Sequence, residues 1–358
     1  MKTNYIKLII AILISISFPS CENDFNVDME KEHVVLHALA FEGESPKIIL
    51  ARTLEAFPKY PFNLEYYSQP FYSDNVEIIV SSANETYTNF EIHQIPIKIS
   101  EYDNPCLSTE ITYFSDENFI PEPGKEYTIE VYEHETHPVD KRSGFSLKST
   151  TKIPNRIPLI LEQVSDEIDN EFLQFGYEDT LWNQVYNISF DDPANEENYY
   201  YLTLSNVVSN YDFSIDTVDM DKLWNGYISY DSQDYWLENL KNSYSELKGL
   251  PGNETEESYS FELQGFLFND INFDGQTKNI EVQINNYLYS NDFKYFVVEL
   301  FHISKEYYNY YSTVQTQGKT QQDIFTEPTQ IYSNIDGGLG VFAGATLTTS
   351  SIKVVSMP

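Results

Sequence analysis

Apolar and polar residues alternate with a period of two through most of this chain. That pattern commits it to strands, because successive side chains of a strand point to opposite faces. The runs HVVLHALAF (33–41), KIILART (47–53), NVEIIVSS (75–82), TEITYF (109–114), EYTIEVYEH (126–134) and FSLKSTTKI (145–153) follow one another in this way. Pro121, Pro123 and Gly124 supply turn chemistry ahead of the fifth run. Short alternating runs at this spacing predict an immunoglobulin-like β-sandwich over 33–153, without the Cys-Trp-Cys core of antibody domains. Pro154 and Pro158, in KIPNRIPL, mark a stiff boundary after it.

Beyond the boundary, 154–358 predicts a second β-rich domain that carries two helices. QVYNISF (184–190) and YYYLTLSN (199–206) are strands flanking a loop, DDPANEEN. Asp231 or Ser232 can cap a helix near 232–248, with Trp236, Leu240, Tyr244 and Leu247 on one face and Gly249 and Pro251 as the stop. YSFELQGFLF (259–268), IEVQI (280–284) and KYFVVELFHI (294–303) are strands. Ser304 can cap a second helix over 305–317, with Tyr307, Tyr308, Tyr311 and Val314 on one side and Gly318 at its end. LGVFAGA and IKVV close the chain as two strands around a polar turn. The expected fold is mostly β, in two domains.

The first residues carry an address. Lys2 and Lys7 precede an apolar run, Leu8 to Ile16, the pattern of a secretory signal. A membrane-spanning helix needs about 20 apolar residues, so this run is too short to be one. Ser20-Cys21 resembles the cleavage site of a bacterial lipoprotein, although Phe18 stands where Leu is usual. Residues 1–20 are thus expected to be a removed signal peptide, and Cys21 the lipidated N-terminus. Acyl chains contribute about 0.8 kcal/mol per buried CH₂, so two or three of them hold a protein durably at a membrane. Residues 21–32 (CENDFNVDMEKE) form an acidic stretch too poor in apolar residues to order itself, expected to serve as a flexible tether. Acids directly after the cysteine also resemble the signal that sends Bacteroidota lipoproteins to the outer face of the outer membrane. Cys106 is the other cysteine, so a lipidated Cys21 leaves it no disulfide partner.

The formal net charge is −35, and loss of the leader would remove two lysines more. Such a field repels nucleic acid and anionic head groups, and makes both poor partners. Tyr (29) and Phe (23) are abundant. Tyr suits protein contacts, being apolar in body and polar at the tip, and it also favours strands; both readings stand.

The sharpest chemical signal is DINFDGQTKNIE (270–281). Asp270, Asn272, Asp274, Gly275 and Glu281 satisfy D-x-[DN]-x-[DN]-G-x5-E, the spacing of a calcium loop. Its flanks read as strands and Thr277 replaces the customary aliphatic residue, so a β-hairpin turning at Asp274-Gly275 is the favoured expectation over calcium. His134 and His137, in YEHETHP, lack the helical H-E-x-x-H spacing of a zinc site and are expected to be solvated loop residues. No nucleophile elbow, phosphate loop or dinucleotide fingerprint occurs. GGLGVFAG (337–344) leads into a strand, where its glycines allow close backbone approach. Adjacent acids such as Asp191-Asp192 carry no weight among 56.

Four segments resemble one family in order: EPGKEYTIEV (122–131), ISFDDPANEENYYYL (188–202), ELFHISKEYYNYY (299–311) and EPTQIYSNIDGGLGVFAGAT (327–346). With the lipoprotein start, they resemble the Bacteroidota lipoproteins grouped as domain-of-unknown-function family 4249. That resemblance implies a non-enzymatic protein, lipid-anchored in the outer membrane and facing the cell exterior. It would act as an accessory or binding subunit of an outer-membrane β-barrel such as a TonB-dependent receptor. An extracellular glycan- or peptide-binding module is the alternative, and a calcium-dependent hydrolase a more distant one.

Overall fold

The computed structural model describes residues 33–52, 76–96, 110–133, 144–169, 181–208, 236–239, 244–248, 265–287, 293–320 and 330–353. The leader 1–20, the tether with Cys21, Cys106, His134 and His137 lie outside them. The described residues are mostly β, as expected. The strands of the first half are β1 (Val34–Phe41), β2 (Ile48–Arg52), β3 (Val76–Ser81), β4 (Thr86–Tyr87), β5 (Glu91–Pro96), β6 (Glu110–Ser115), β7 (Glu126–Glu133) and β8 (Ser146–Lys152). The second half adds β9 (Ile160–Asp169), β10 (Leu181–Asp191), β11 (Tyr199–Val208), β12 (Trp236–Asn239), β13 (Tyr244–Lys248), β14 (Phe266–Asn269), β15 (Thr277–Tyr287), β16 (Phe293–Ile303), helix α1 (Lys305–Thr320) and β17 (Leu339–Lys353).

These strands form three sheets. The largest has nine strands in the order β12-β11-β16-β17-β1-β2-β6-β5, with β14 also paired to β11. It takes strands from both sides of residue 153, because β1 pairs in parallel with β17, from Val35 opposite Leu339 to Phe41 opposite Ala345. Two four-stranded sheets, β4-β3-β7-β8 and β13-β15-β10-β9, complete the set.

Alternation decides what packs where. Leu36, Ala38 and Ala40 of β1 point into one core with Ile78 and Val80 of β3 and Tyr127, Ile129 and Val131 of β7. A second core joins Leu202 and Leu204 of β11 and Phe296, Val298 and Leu300 of β16 to Ile188 of β10 and Val282 of β15. The intervening residues of the large sheet, among them Tyr201, Phe301, Val341 and Ala343, share a third core with Tyr307 of α1. Each buried side chain of this size contributes on the order of 1.5–3 kcal/mol. At Gly344 of β17 the chain after β8 comes so close that a Cβ would lie 2.7 Å from Ile153 Cδ1 and 2.8 Å from the Lys152 carbonyl oxygen. The glycine-rich run therefore serves close approach, as its sequence implies.

Helix α1 begins at its expected cap: the Tyr307 amide donates to Ser304 Oγ at 3.4 Å. It continues through Gly318 to Thr320 rather than stopping there. Within the segment expected as a helix near 232–248, the described residues 236–239 and 244–248 are strands. Residues 236–239 pair antiparallel with Ser205–Val208 of β11, and 244–248 pair with 281–284 of β15. Four apolar positions among Asn, Ser and aromatic residues make a weak helix, and two open strand edges offer backbone pairing in its place. The two strands expected at the end of the chain are one, since the polar run TLTTSS stays in register with β16 from Ala345 to Lys353. Its β-branched threonines suit a pleated surface.

Candidate functional site

Two connections cross between the large sheet and the β13-β15-β10-β9 sheet side by side. Residues 192–198 lead from β10 to β11, and residues 270–276 lead from β14 to β15. Asp274-Gly275 is consequently not a hairpin turn, because β14 and β15 belong to different sheets. DG signals a reversal of the chain, and here the reversal serves a crossover.

Carboxylates staple the two connections together. Asp192 Oδ2 accepts the Gly275 amide at 2.8 Å, and its Oδ1 accepts the Tyr200 hydroxyl. The Asp192 amide donates to the Gln276 carbonyl at 3.2 Å. Asp270 Oδ2 accepts the Asn198 amide at 2.8 Å and the Asn198 Nδ2 at 3.3 Å. Asp274 Oδ1 accepts the Asn195 amide at 2.9 Å, and Thr277 Oγ1 donates to Asp191 at 2.6 Å. Gly275 has φ +68°, and a Cβ on it would lie 2.7 Å from Ala194 Cβ, so the opposing loop leaves room only for glycine.

Beneath the loops lies a stacked aromatic floor. Tyr200 packs on Phe190, Phe268 and Phe273, and its ring stacks on His302 at 5.3 Å. His302, at the end of β16, is buried, with Nδ1 2.7 Å from the Asn155 carbonyl oxygen and Nε2 3.0 Å from Asn198 Oδ1. One ring therefore links the β8–β9 connection to the paired crossovers.

Burial sets the electrostatics. It raises the Asp192 pKa above the usual carboxylate range, and the charges of Asp270 and Asp274 add to the rise, against the Tyr200 and Gly275 hydrogen bonds. It also drives the Tyr200 hydroxyl upward, with Asp192 reinforcing it. For His302, burial lowers the pKa, while the Asn155 carbonyl and the charges of Glu196, Asp192 and Asp270 pull the other way.

Of the residues matched to a calcium loop, the fold brings Asp270 and Asp274 together and adds Asp192, with one oxygen of each within 4.8 Å of the others. Asn272 is exposed and Glu281 sits on β15 opposite Asn187, four register positions from the loop end at Thr277. At roughly 3.4 Å per residue that spacing takes Glu281 away from the turn, because the loop flanks are strands. Oxygens of all three acids already accept loop amides or a hydroxyl, and the arrangement is suited to holding two crossovers rather than to delivering a proton or nucleophile. Sequence reasoning missed Asp192, Asn198, Tyr200 and His302. Asp192 was visible in DDPANEEN, but nothing in linear spacing joins it to residues 270–276.

No helix among the described residues is long and apolar enough to cross a membrane. None of the curated proteins matches the chain. Among solved structures, the crystal structure of collagen adhesin (CNA) from S. aureus is 8% identical over 89% of this chain and 96% of its own, with a TM-score of 0.14, too low to indicate a shared fold. The matching family model spans residues 22–351, and the chain belongs to the family described as Domain of unknown function (DUF4249).

Proposed function

We propose that the protein is a surface-exposed outer-membrane lipoprotein that works without catalysis, as an accessory or binding subunit of an outer-membrane β-barrel such as a TonB-dependent receptor. The observation that carries this reading is where the family model begins: at residue 22, directly after Cys21. A family body starting one residue past the cysteine fits a leader that is removed and a lipidated residue that heads the mature chain. The engagement of Asp192, Asp270 and Asp274 in loop contacts favours a binding over a catalytic role. In this reading 33–153 is an immunoglobulin-like unit and 154–358 a second β-rich unit.

The test is extraction of native membranes in mild detergent with the protein as bait. Recovery of a β-barrel protein is the expected result, together with a Cys21→Ser variant that leaves the membrane fraction. Recovery of the protein alone and monomeric would sink the accessory role. Ligand-dependent thermal stabilisation in that monomeric state would instead favour a free-standing glycan- or peptide-binding module.

A further inference from the structure

His302 faces an acceptor on each side. The atom near Nδ1 is a backbone carbonyl oxygen, at 2.7 Å, and it has no proton to give. The atom near Nε2 is Asn198 Oδ1, at 3.0 Å. The orientation of that amide is set by its other end, since Asn198 Nδ2 donates to the Pro193 carbonyl at 2.9 Å, the Glu196 carbonyl at 3.2 Å and Asp270 Oδ2 at 3.3 Å. A flipped amide would turn its oxygen against three acceptors, so the network itself decides the assignment. A neutral imidazole has one N–H and would leave a lone pair pointing at one of these oxygens. An imidazolium donates to both.

We propose that His302 is held as an imidazolium in the folded protein, a proton-dependent bolt joining the 153–159 connection to the paired crossovers. The charged groups facing it are Glu196 and Asp192 of one crossover and Asp270 of the other, all acidic. On the connection side it meets the Asn155 carbonyl, which also accepts the Thr346 hydroxyl at 3.3 Å, and the cation of that connection, Arg156, is exposed and paired with Glu42 at 3.0 Å. Tyr200 lies flat against the ring and presents its π face. Burial works against the second proton and lowers the pKa; on the other side stand two acceptors that each need a donor, together with three acids, and a charge-assisted hydrogen bond is about twice as strong as a neutral one. Loss of the proton on going to alkaline pH breaks one of the two contacts and loosens the connection from the crossovers. Acidification restores it.

The deciding measurement is a titration of the full-length protein labelled with ¹⁵N-histidine, read from the ring nitrogen shifts. The protein has six histidines, and His302 is assigned by comparison with His302→Gln or by its through-space contact with the Tyr200 ring. The expected result is both ring nitrogens protonated at pH 6.5, with a midpoint above the ordinary histidine value of about 6.5. A single protonated nitrogen at that pH, with a midpoint below it, overturns the proposal. Stability gives the second readout. A folded pKa above the unfolded one adds stability that is complete below the unfolded value and is lost as pH rises through the folded value. Wild type should therefore lose its advantage over His302→Gln between pH 6 and pH 8, tenfold in the folding equilibrium constant for each pH unit of elevation. An advantage that grows over that range overturns the proposal. If His302→Gln does not fold, the wild-type titration assigned through Tyr200 decides alone.

Discussion

Asn198 and Asp270 grip each other in both directions. The Asn198 amide donates to Asp270 Oδ2 at 2.8 Å, and the Asp270 amide donates back to the Asn198 carbonyl at 3.2 Å. Both residues are buried, so neither group can turn to water when its partner is removed.

Asp270→Ala should therefore destabilise the protein by about 2–3 kcal/mol, the cost of stranding a buried donor that had a charged acceptor. Asp270→Asn keeps one oxygen for the Asn198 amide and should cost less. Urea denaturation of both variants checks the order, and equal costs would show that the carboxylate is not the staple.

Gly275→Ala and Gly43→Ala separate backbone strain from crowding. Both glycines have positive φ, +68° and +81°, but a Cβ at Gly43 meets nothing within 4 Å while one at Gly275 meets Ala194 at 2.7 Å. The left-handed conformation alone costs roughly 1–2 kcal/mol. Gly43→Ala should show that cost, and Gly275→Ala should exceed it by about 1–3 kcal/mol for overpacking. Thermal and urea midpoints of the pair decide it.

Asp192 should make the fold lose stability as its own proton leaves. Its folded pKa is raised, chiefly by burial, so the folded state binds that proton more tightly than the unfolded chain does. The contribution is greatest below the ordinary carboxylate value of about 3.9 and declines as pH rises through the folded value. Wild type should accordingly lose ground to Asp192→Asn from about pH 4 upward. Denaturation midpoints of both proteins in steps through the acid range give the measurement; a constant difference would refute the shift.

Glu299→Gln tests a second buried carboxyl. Glu299 accepts the Thr203 hydroxyl at 2.7 Å, and burial raises its pKa despite that bond. Glutamine keeps an acceptor for Thr203 and carries no charge to desolvate. The variant should be more stable than wild type at pH 8, with the gain shrinking toward pH 5, where the wild-type carboxyl binds a proton. Midpoint denaturant concentrations at the two pH values report it.

How much of this was readable from residues depends on which partner decides each element. HVVLHALAF and EYTIEVYEH bury alternate residues, so β1 and β7 could be read from local pattern. Ser304 and the tyrosines after it likewise announce α1. Residues 236–239 and 244–248 mislead, because their backbone pairs with β11 and β15, partners that lie tens of residues away in the sequence. β9 went unread since acids interrupt its apolar run, ILEQVSDEID. At the candidate site, Asp270 and Asp274 were legible from their spacing. Asp192 and His302 arrive through sheet topology, which no window of sequence contains.

The parallel pairing of β1 with β17 binds residues 35–41 to residues 339–345, about as far apart as this chain allows. Contacts between such distant segments slow the search for the native state, because a long loop must close before they repay it. While the chain emerges end-first, β1 waits with a bare edge until β17 arrives, and that edge is a template for pairing with a stranger. Completion of this sheet thus waits for β17, and any truncation that removes β17 also strips β1 of a neighbour.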